Sequence, residues 1–256
     1  MVRKHEVLVT IVADTIIVKP GTLYLVSTPI GNLQDITLRA LKVLAQVDII
    51  AAEDTRTSLK LLNHYTIKVP LTSYHDFNKE KVTPALIKRL ESAESIAIIS
   101  DAGTPGVSDP AFYLVREAIR RGINVESIPG ATAFVTALTS SGLATDRFVF
   151  EGFIPVKKGR QKRLEELRLE PRTIIIYESP NRVVKTLQDI YAVLGNRQVV
   201  LARELTKIFE QFVRSSLEEL LKTVETLTLK GEFVILVEGC SREIQREIKK
   251  KEKVKK

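Results

Sequence analysis

Apolar and polar positions in the first half of the chain follow two alternating rhythms. Short apolar runs at Thr22–Ser27, Asp48–Ala52, Leu71–Tyr74, Ile96–Ser100 and Asn124–Ile128 have the length and β-branched content of strands. Between them, apolar residues recur at helical spacing over Thr37–Gln46, Thr57–Tyr65, Pro84–Ser92 and Pro110–Arg121. Asp109 is a good N-cap, Pro110 suits a first helical position, and Gly122 fits a left-handed C-terminal cap. This rhythm predicts a mainly parallel sheet covered on both faces.

The second half is less regular. A helix over Ala131–Ser141, closed by Gly142, precedes strands at Phe148–Phe153, Thr173–Tyr177, Gln198–Arg203, Phe209–Arg214 and Glu232–Val237. Helices are expected at Lys162–Leu169, Arg182–Leu194 and Leu217–Leu227. The short polar connection between the strands near 200 and 210 predicts an antiparallel pair, hence a mixed sheet. The expected fold class is α/β with two α/β domains, at 21–144 and 145–240. Residues 1–20 form an N-terminal extension of unassigned role, and 241–256 a basic tail.

The stretch Ile99-Ser-Asp-Ala-Gly-Thr-Pro-Gly-Val-Ser-Asp-Pro110 leaves the carboxyl end of a predicted strand and enters a helix. In open α/β sheets that is where ligands bind. Gly103 and Gly106 let the backbone approach a ligand, and Asp101, Thr104 and Ser108 add polar side chains. A valine at Gly103 is expected to occupy space reserved for that ligand. A purely structural turn is the competing reading.

Composition narrows the classes. With 44% hydrophobic and 27% charged residues among 256, the chain reads as globular. No apolar run approaches the ~20 residues that span a bilayer, so no membrane partner is expected. Cys240 is the only cysteine and the three histidines lack zinc spacing; a reducing, cytoplasmic setting and no metal site are expected. Of the net charge of +8, residues 242–256 contribute +5, from eight basic and three acidic residues. A second basic cluster comprises Lys157, Lys158, Arg160, Lys162 and Arg163. Both suit a polyanion such as RNA; a solvated tail and a solvated helix start would look the same.

The chain has no Gly-Lys phosphate loop and no dinucleotide fingerprint. It carries instead short motifs at predicted strand ends: "TPIGN" from Thr28, "EDTR" from Glu53, "SDAGTP" from Ser100, "YESP" from Tyr177 followed by Arg182, and "ARELTK" from Ala202. In this order they resemble the ribosomal RNA small-subunit methyltransferases of the tetrapyrrole-methylase-like family, from about Gly21 to Gly239. The resemblance implies an S-adenosylmethionine-dependent enzyme that methylates a ribose 2′-hydroxyl of a decoding-centre cytidine in 16S rRNA. It also implies a cofactor cleft between two α/β domains, a homodimer, and 16S rRNA or the 30S subunit as partner.

By motif, the resemblance assigns Pro29, Gly31, Ser100, Asp101, Ala102, Gly103, Thr104, Ala131 and Thr132 to the cofactor, with Phe153, Tyr177, Ala202 and Leu205 from the second domain. Methyl transfer from a sulfonium needs in-line positioning and an acceptor for one proton. Candidate acceptors are Glu53, Asp54, Glu178 and Glu204. Each has a structural alternative: Asp54 could cap the next helix, and Glu178 or Glu204 could pair with Arg182 or Arg203. Arg56, Arg182, Arg203 and Lys207 could hold RNA phosphates or neutralise these carboxylates. Many relatives carry a further helical domain after the strand ending in Val237-Glu238-Gly239; a short, mostly charged segment stands there instead. Two other readings remain, a tetrapyrrole C-methyltransferase of the same fold and a non-catalytic RNA-binding protein. The first loop is not Gly-rich, and the second reads Ser-Asp-Ala-Gly-Thr-Pro in place of Gly-Asp-Pro.

Overall fold

The computed structural model describes residues 18–241 and 245–246. The chain divides between Thr132 and Ala133 into two compact units. This division lies upstream of the expected 144/145 boundary, because the helix Ala133–Thr139 packs on the sheet of the second unit.

The first unit alternates β1 (Thr22–Val26), α1 (Leu38–Gln46), β2 (Ile49–Ala52), α2 (Thr55–His64), β3 (Leu71–Ser73), α3 (Lys79–Glu91), β4 (Ile96–Ile99), α4 (Ala111–Arg120) and β5 (Asn124–Ile128). Its five-stranded sheet has the order β3-β2-β4-β1-β5, parallel throughout. Continuous apolar strands serve both faces. Tyr24, Val26, Ile50, Ala52, Ala97 and Ile99 join Leu41 and Leu44 of α1 and Leu62 of α2 on one face. Leu23, Ile49, Ala51, Ile96 and Ile98 join Leu86 and Leu90 of α3 and Leu114 of α4 on the other. The period of two in strand direction makes this split automatic.

Two local expectations are corrected. Helix α3 begins at Lys79, with Pro84 inside it. Asn78 fixes that start by accepting from the His75 N–H (2.8 Å) and donating to the Ser73 carbonyl (3.0 Å). Pro84 and Glu80 are both exposed, and Pro84 has no N–H to offer the Glu80 carbonyl one turn back. Helix α4 begins at Ala111, and Pro110 precedes it. Asp109 still supplies the capping bond, its carboxylate accepting from Ala111 N–H at 2.9 Å.

The second unit contains α5 (Ala133–Thr139), β6 (Phe148–Phe153), α6 (Arg160–Glu166), β7 (Thr173–Glu178), α7 (Val183–Leu194), β8 (Gln198–Arg203), β9 (Gln211–Ser216), α8 (Leu217–Thr223) and β10 (Phe233–Val237). Its sheet order is β6-β7-β10-β8-β9. β6 and β7 are parallel; β10 runs antiparallel to β7 and β8, and β8 to β9. The mixed sheet and the antiparallel β8–β9 pair follow the sequence reading. Ile174, Ile176, Leu201 and Ile235 pack against Leu164, Leu187, Ile190 and Leu220. Arg197 is fully buried and donates to the carbonyls of Leu194 (3.3 Å), Glu238 (3.2 Å) and Arg168, tying three element ends together. Most of the basic tail and residues 1–17 lie outside the described residues.

Candidate active site

In the first unit, the connection leaving β1 passes β4 to reach β2, whereas the connection leaving β4 passes β1 to reach β5. The loops therefore diverge between β4 and β1, which makes that carboxyl-end crevice the topological switch point. The two loops that leave it are the "TPIGN" and "SDAGTP" segments. They are bonded to each other: Thr28 N–H donates to Gly103 O at 2.9 Å, and Gly103 N–H to Thr28 O at 3.1 Å. Thr28 Oγ1 also donates to Ser100 O at 3.3 Å.

Thr104 is the hub. Its hydroxyl lies 3.0 Å from Ser27 Oγ and 2.7 Å from Thr132 Oγ1, and donates to Ala131 O at 3.3 Å. Three motif segments thus meet at one side chain. Gly130 makes the close approach possible, since a Cβ there would lie 2.8 Å from Ser27 Cβ. Pro29 is buried in this loop and Gly31 exposed, while Ser100 Oγ donates to Ala102 O at 3.3 Å. Asp109 folds the loop back by accepting from Gly106 N–H at 2.8 Å. The expectation for Gly103 needs correction. A Cβ there would meet Ile30 Cγ2 at 3.3 Å and Ala131 O at 3.6 Å, and its φ is +82°. A valine would therefore strain the loop itself before obstructing a ligand.

The four candidate carboxylates separate clearly. Asp54 caps α2, accepting from Arg56 N–H at 2.8 Å, and pairs with the Arg56 guanidinium at 2.8 Å. Those hydrogen bonds hold its carboxyl down at about 2. Glu178 is buried; it accepts from Ser179 N–H (2.8 Å) and Thr186 Oγ1 (2.6 Å) and meets Arg182 at 3.3 Å. Burial works to raise the Glu204 carboxyl, but Lys207 at 2.7 Å and the Glu232 N–H hold it below the ordinary range. These three have the structural roles that were the alternatives, with Lys207 rather than Arg203 bonded to Glu204. Glu53 differs. Burial raises its carboxyl, and its hydrogen bond, from Asp101 N–H, is long at 3.4 Å. Asp101, also raised by burial, accepts from Asp54 N–H at 3.0 Å and so couples the ends of β2 and β4.

In the second unit, the carboxyl ends of β6, β7 and β8 share one edge of the sheet. Phe153, Tyr177 and Ala202 stand there. Tyr177 Oη accepts from Phe134 N–H at 3.1 Å, its ring centroid lies 4.9 Å from Phe150 and 5.8 Å from Phe153, and burial pushes its hydroxyl up to about 12. Ala202 and Leu205 are buried.

The cations expected to meet RNA are sorted by their partners. Arg203 donates to Lys230 O (2.7 Å) and Phe209 O (3.2 Å), and Arg182 to Ile154 O (2.6 Å). Arg160 is held by Asp189 (2.8 Å), Thr186 Oγ1 (2.8 Å) and Pro155 O (3.2 Å), so it belongs to the fold. Arg163 grips Glu151 and Glu166, and Lys207 is spent on Glu204 and Glu232. Lys157, Lys158 and Lys162 are exposed and their ammonium groups have no ion pair among the described residues. Ser27 and Glu151 stand in strand-end motifs of the sequence but were assigned no role from it; the structure bonds Ser27 to Thr104 and Glu151 to Arg163. Among the described residues, no His/Cys/Asp/Glu group suits a metal, and no helix is long and apolar enough to cross a membrane.

Two α/β units of this topology, with glycine-bearing motif loops at the switch point, define a methylase of the tetrapyrrole type. The tetrapyrrole (corrin/porphyrin) methylase family model matches residues 22–221. Solved structures of a cobalt precorrin-4 methyltransferase (TM-score 0.62, 20% identity, 85% of this chain and 95% of that one) and a diphthine synthase (0.69, 16%, 86% and 90%) share the fold. Curated relatives named ribosomal RNA small subunit methyltransferase I are nearer in sequence. The Halalkalibacterium halodurans protein is 51% identical over 89% of this chain and 79% of its own length. The Haemophilus influenzae protein is 52% identical over 86% and 79%, and the Thermotoga maritima protein 44% over 86% and 99%. The chain is a methyltransferase and belongs to the ribosomal RNA small subunit methyltransferase I family.

Proposed function

We propose that the protein transfers a methyl group from S-adenosylmethionine to a ribose 2′-hydroxyl of a decoding-centre cytidine in 16S rRNA. The observation that carries this reading is the hydrogen-bonded pairing of the two motif loops at the switch point, in a chain about half identical to relatives named for rRNA methylation. A structure of the same fold, a uroporphyrin-III C-methyltransferase (TM-score 0.60, 20% identity, 84% and 96% coverage), is described as a complex with S-adenosylhomocysteine. The residues at the crevice suit such a group. Asp101 offers a carboxylate to an ammonium, while the backbone of 101–104 and the hydroxyls of Thr104 and Thr132 offer polar contacts to a carboxylate or ribose. When bound, S-adenosylmethionine supplies an electrophilic methyl.

The chain's own part is then positioning and acceptance of one proton. The paired loops and the Thr104 hub make the pocket wall rigid before a ligand arrives, which places binding energy in orientation. Glu53, desolvated and with one long hydrogen bond among the described residues, is the proton acceptor of this reading; a raised carboxyl is better matched to a hydroxyl proton near neutrality than an ion-paired one. The 2′-O assignment is tested by incubating the protein with labelled S-adenosylmethionine and 30S subunits, then locating the methyl by nuclease digestion and mass spectrometry. A methyl on ribose of 16S rRNA is expected; a methyl on a base carbon or nitrogen would refute the reaction class. We further infer a homodimer, which light scattering at one chain's 28.7 kDa would refute.

A further inference from the structure

We propose that the depression between the end of β6 and helix α6 is a subsite for one unpaired nucleotide of a single-stranded RNA segment. The inference rests on the reading of RNA as substrate and adds where and how the strand is held. The depression has a volume of about 410 Å³, within the range of small-ligand sites, and is formed by residues of one short stretch. Part of the lining is apolar, made by Phe153, Ile154 and Pro155, with Phe153 55% exposed. The lining also holds two carboxylates gathered by one guanidinium. Glu151, its side chain only 3% exposed, is gripped by Arg163 at 2.5 and 3.0 Å, and the same guanidinium holds Glu166 at 2.8 Å. Lys162 lines it, and the exposed Lys157 and Lys158 lie in the same stretch of chain, between β6 and α6.

This combination selects its occupant. The free ammonium groups call for an anion, and an apolar wall beside them calls for a planar, uncharged body joined to that anion. An unpaired nucleotide has both parts: its base faces the Phe153–Pro155 wall and its phosphates meet the lysines. An acidic peptide fits poorly, because it brings no planar body to the Phe153–Pro155 wall and its carboxylates would meet the half-exposed Glu166. A base instead offers Glu166 an exocyclic amino donor. A duplex cannot place a base in the depression without unpairing it. Arg160 and Arg163 act here as scaffolding, which explains why only part of the basic cluster is free.

The test uses full-length protein and a fluorescein-labelled octacytidylate with one central 4-thiouridine. Binding is followed by anisotropy across a salt series, and ultraviolet crosslinks are mapped by peptide mass spectrometry. Replacing Lys157, Lys158 and Lys162 together by alanine should weaken binding at least tenfold at low salt. It should lower the salt slope by about 2, near 0.7 for each phosphate contact to a single strand. Crosslinks should fall within residues 151–166, and a base-paired RNA of equal length should bind more weakly and lack them. These lysine side chains make no contacts that the fold needs, so equal melting temperatures are expected. Unchanged affinity in the triple variant overturns the proposal. Weakened affinity with crosslinks only elsewhere also overturns it, leaving the lysines as simple phosphate contacts. Methyl transfer is no part of this readout, so a failure of the rRNA reading would show separately in the product assay.

Discussion

Glu53 and Asp54 are neighbours in one motif, yet the fold pulls their carboxyls in opposite directions. Asp54 accepts from three Arg56 donors and stays ionised down to about 2. Glu53 is partly buried, near Asp101, Asp109 and Asp76, and its carboxyl rises from the ordinary 4.5. The sign of its stability contribution follows. A folded value above the unfolded one means the folded state binds the proton more tightly, so the contribution is full below pH 4.5 and is lost as pH rises through the raised value. Ionising Glu53 in the folded protein is therefore a cost. Glu53→Gln keeps the acceptor for Asp101 N–H and removes the charge. The variant should be as stable as the parent, or more so, at pH 7, and lose that advantage toward pH 4. Its methyl transfer should fall at least 100-fold, in the range general bases contribute, with S-adenosylmethionine affinity within about threefold by calorimetry. Denaturation across pH with parallel rate measurements checks both halves; a destabilised or fully active variant would remove Glu53 from this role. The residue types were legible in the sequence, because the motif names both carboxylates. Which one is free was not, since that depends on Arg56 turning back on its own helix cap and on the approach of Asp101 from another strand.

At the scale of elements, the strands were the most legible part. Asn124–Ile128, Phe148–Phe153 and Gln198–Arg203 coincide with expectation because strand ends here are marked by glycine, proline or charge. Helix starts were less legible. Pro84 looks like a helix opening, yet Asn78 starts α3 earlier through bonds to residues of the preceding turn, which spacing alone does not reveal. The β9 strand begins at Gln211, past Phe209, which is 70% exposed at the loop tip. Least legible was Arg197, a charged residue in a polar turn that folds inward. Burial lowers its ordinary value, and what retains the charge is three carbonyl oxygens at the ends of α7 and β10 and just beyond α6. Arg197→Met fills similar volume but leaves those carbonyls unpaired, so it should destabilise the protein by about 3 kcal/mol. The urea midpoint should fall accordingly; an unchanged midpoint would mean water replaces the guanidinium without loss.

For the whole molecule, charge is distributed unlike chemistry. The motif loops of the first unit carry carboxylates, whereas +5 of the net +8 sits in residues 242–256, mostly outside the described residues. We propose that this tail adds affinity for rRNA without adding sequence choice. Lysines and arginines that neutralise phosphates release counterions, so binding weakens steeply with salt, and phosphate contacts position a strand without reading it. The depression at Lys162 and the tail therefore make separable contributions: one local and dependent on a base, the other diffuse. Deleting 242–256 should flatten the salt dependence of 30S or rRNA binding, leave S-adenosylmethionine affinity intact and leave the methylated nucleotide unmoved. The alternative is a tail that contributes to the stability of the fold. Deletion would then lower the melting temperature as well as the affinity. Superimposable salt slopes from two equally stable proteins would reduce the tail to a solvated end, and a shifted methylation site would show that it takes part in choosing the target.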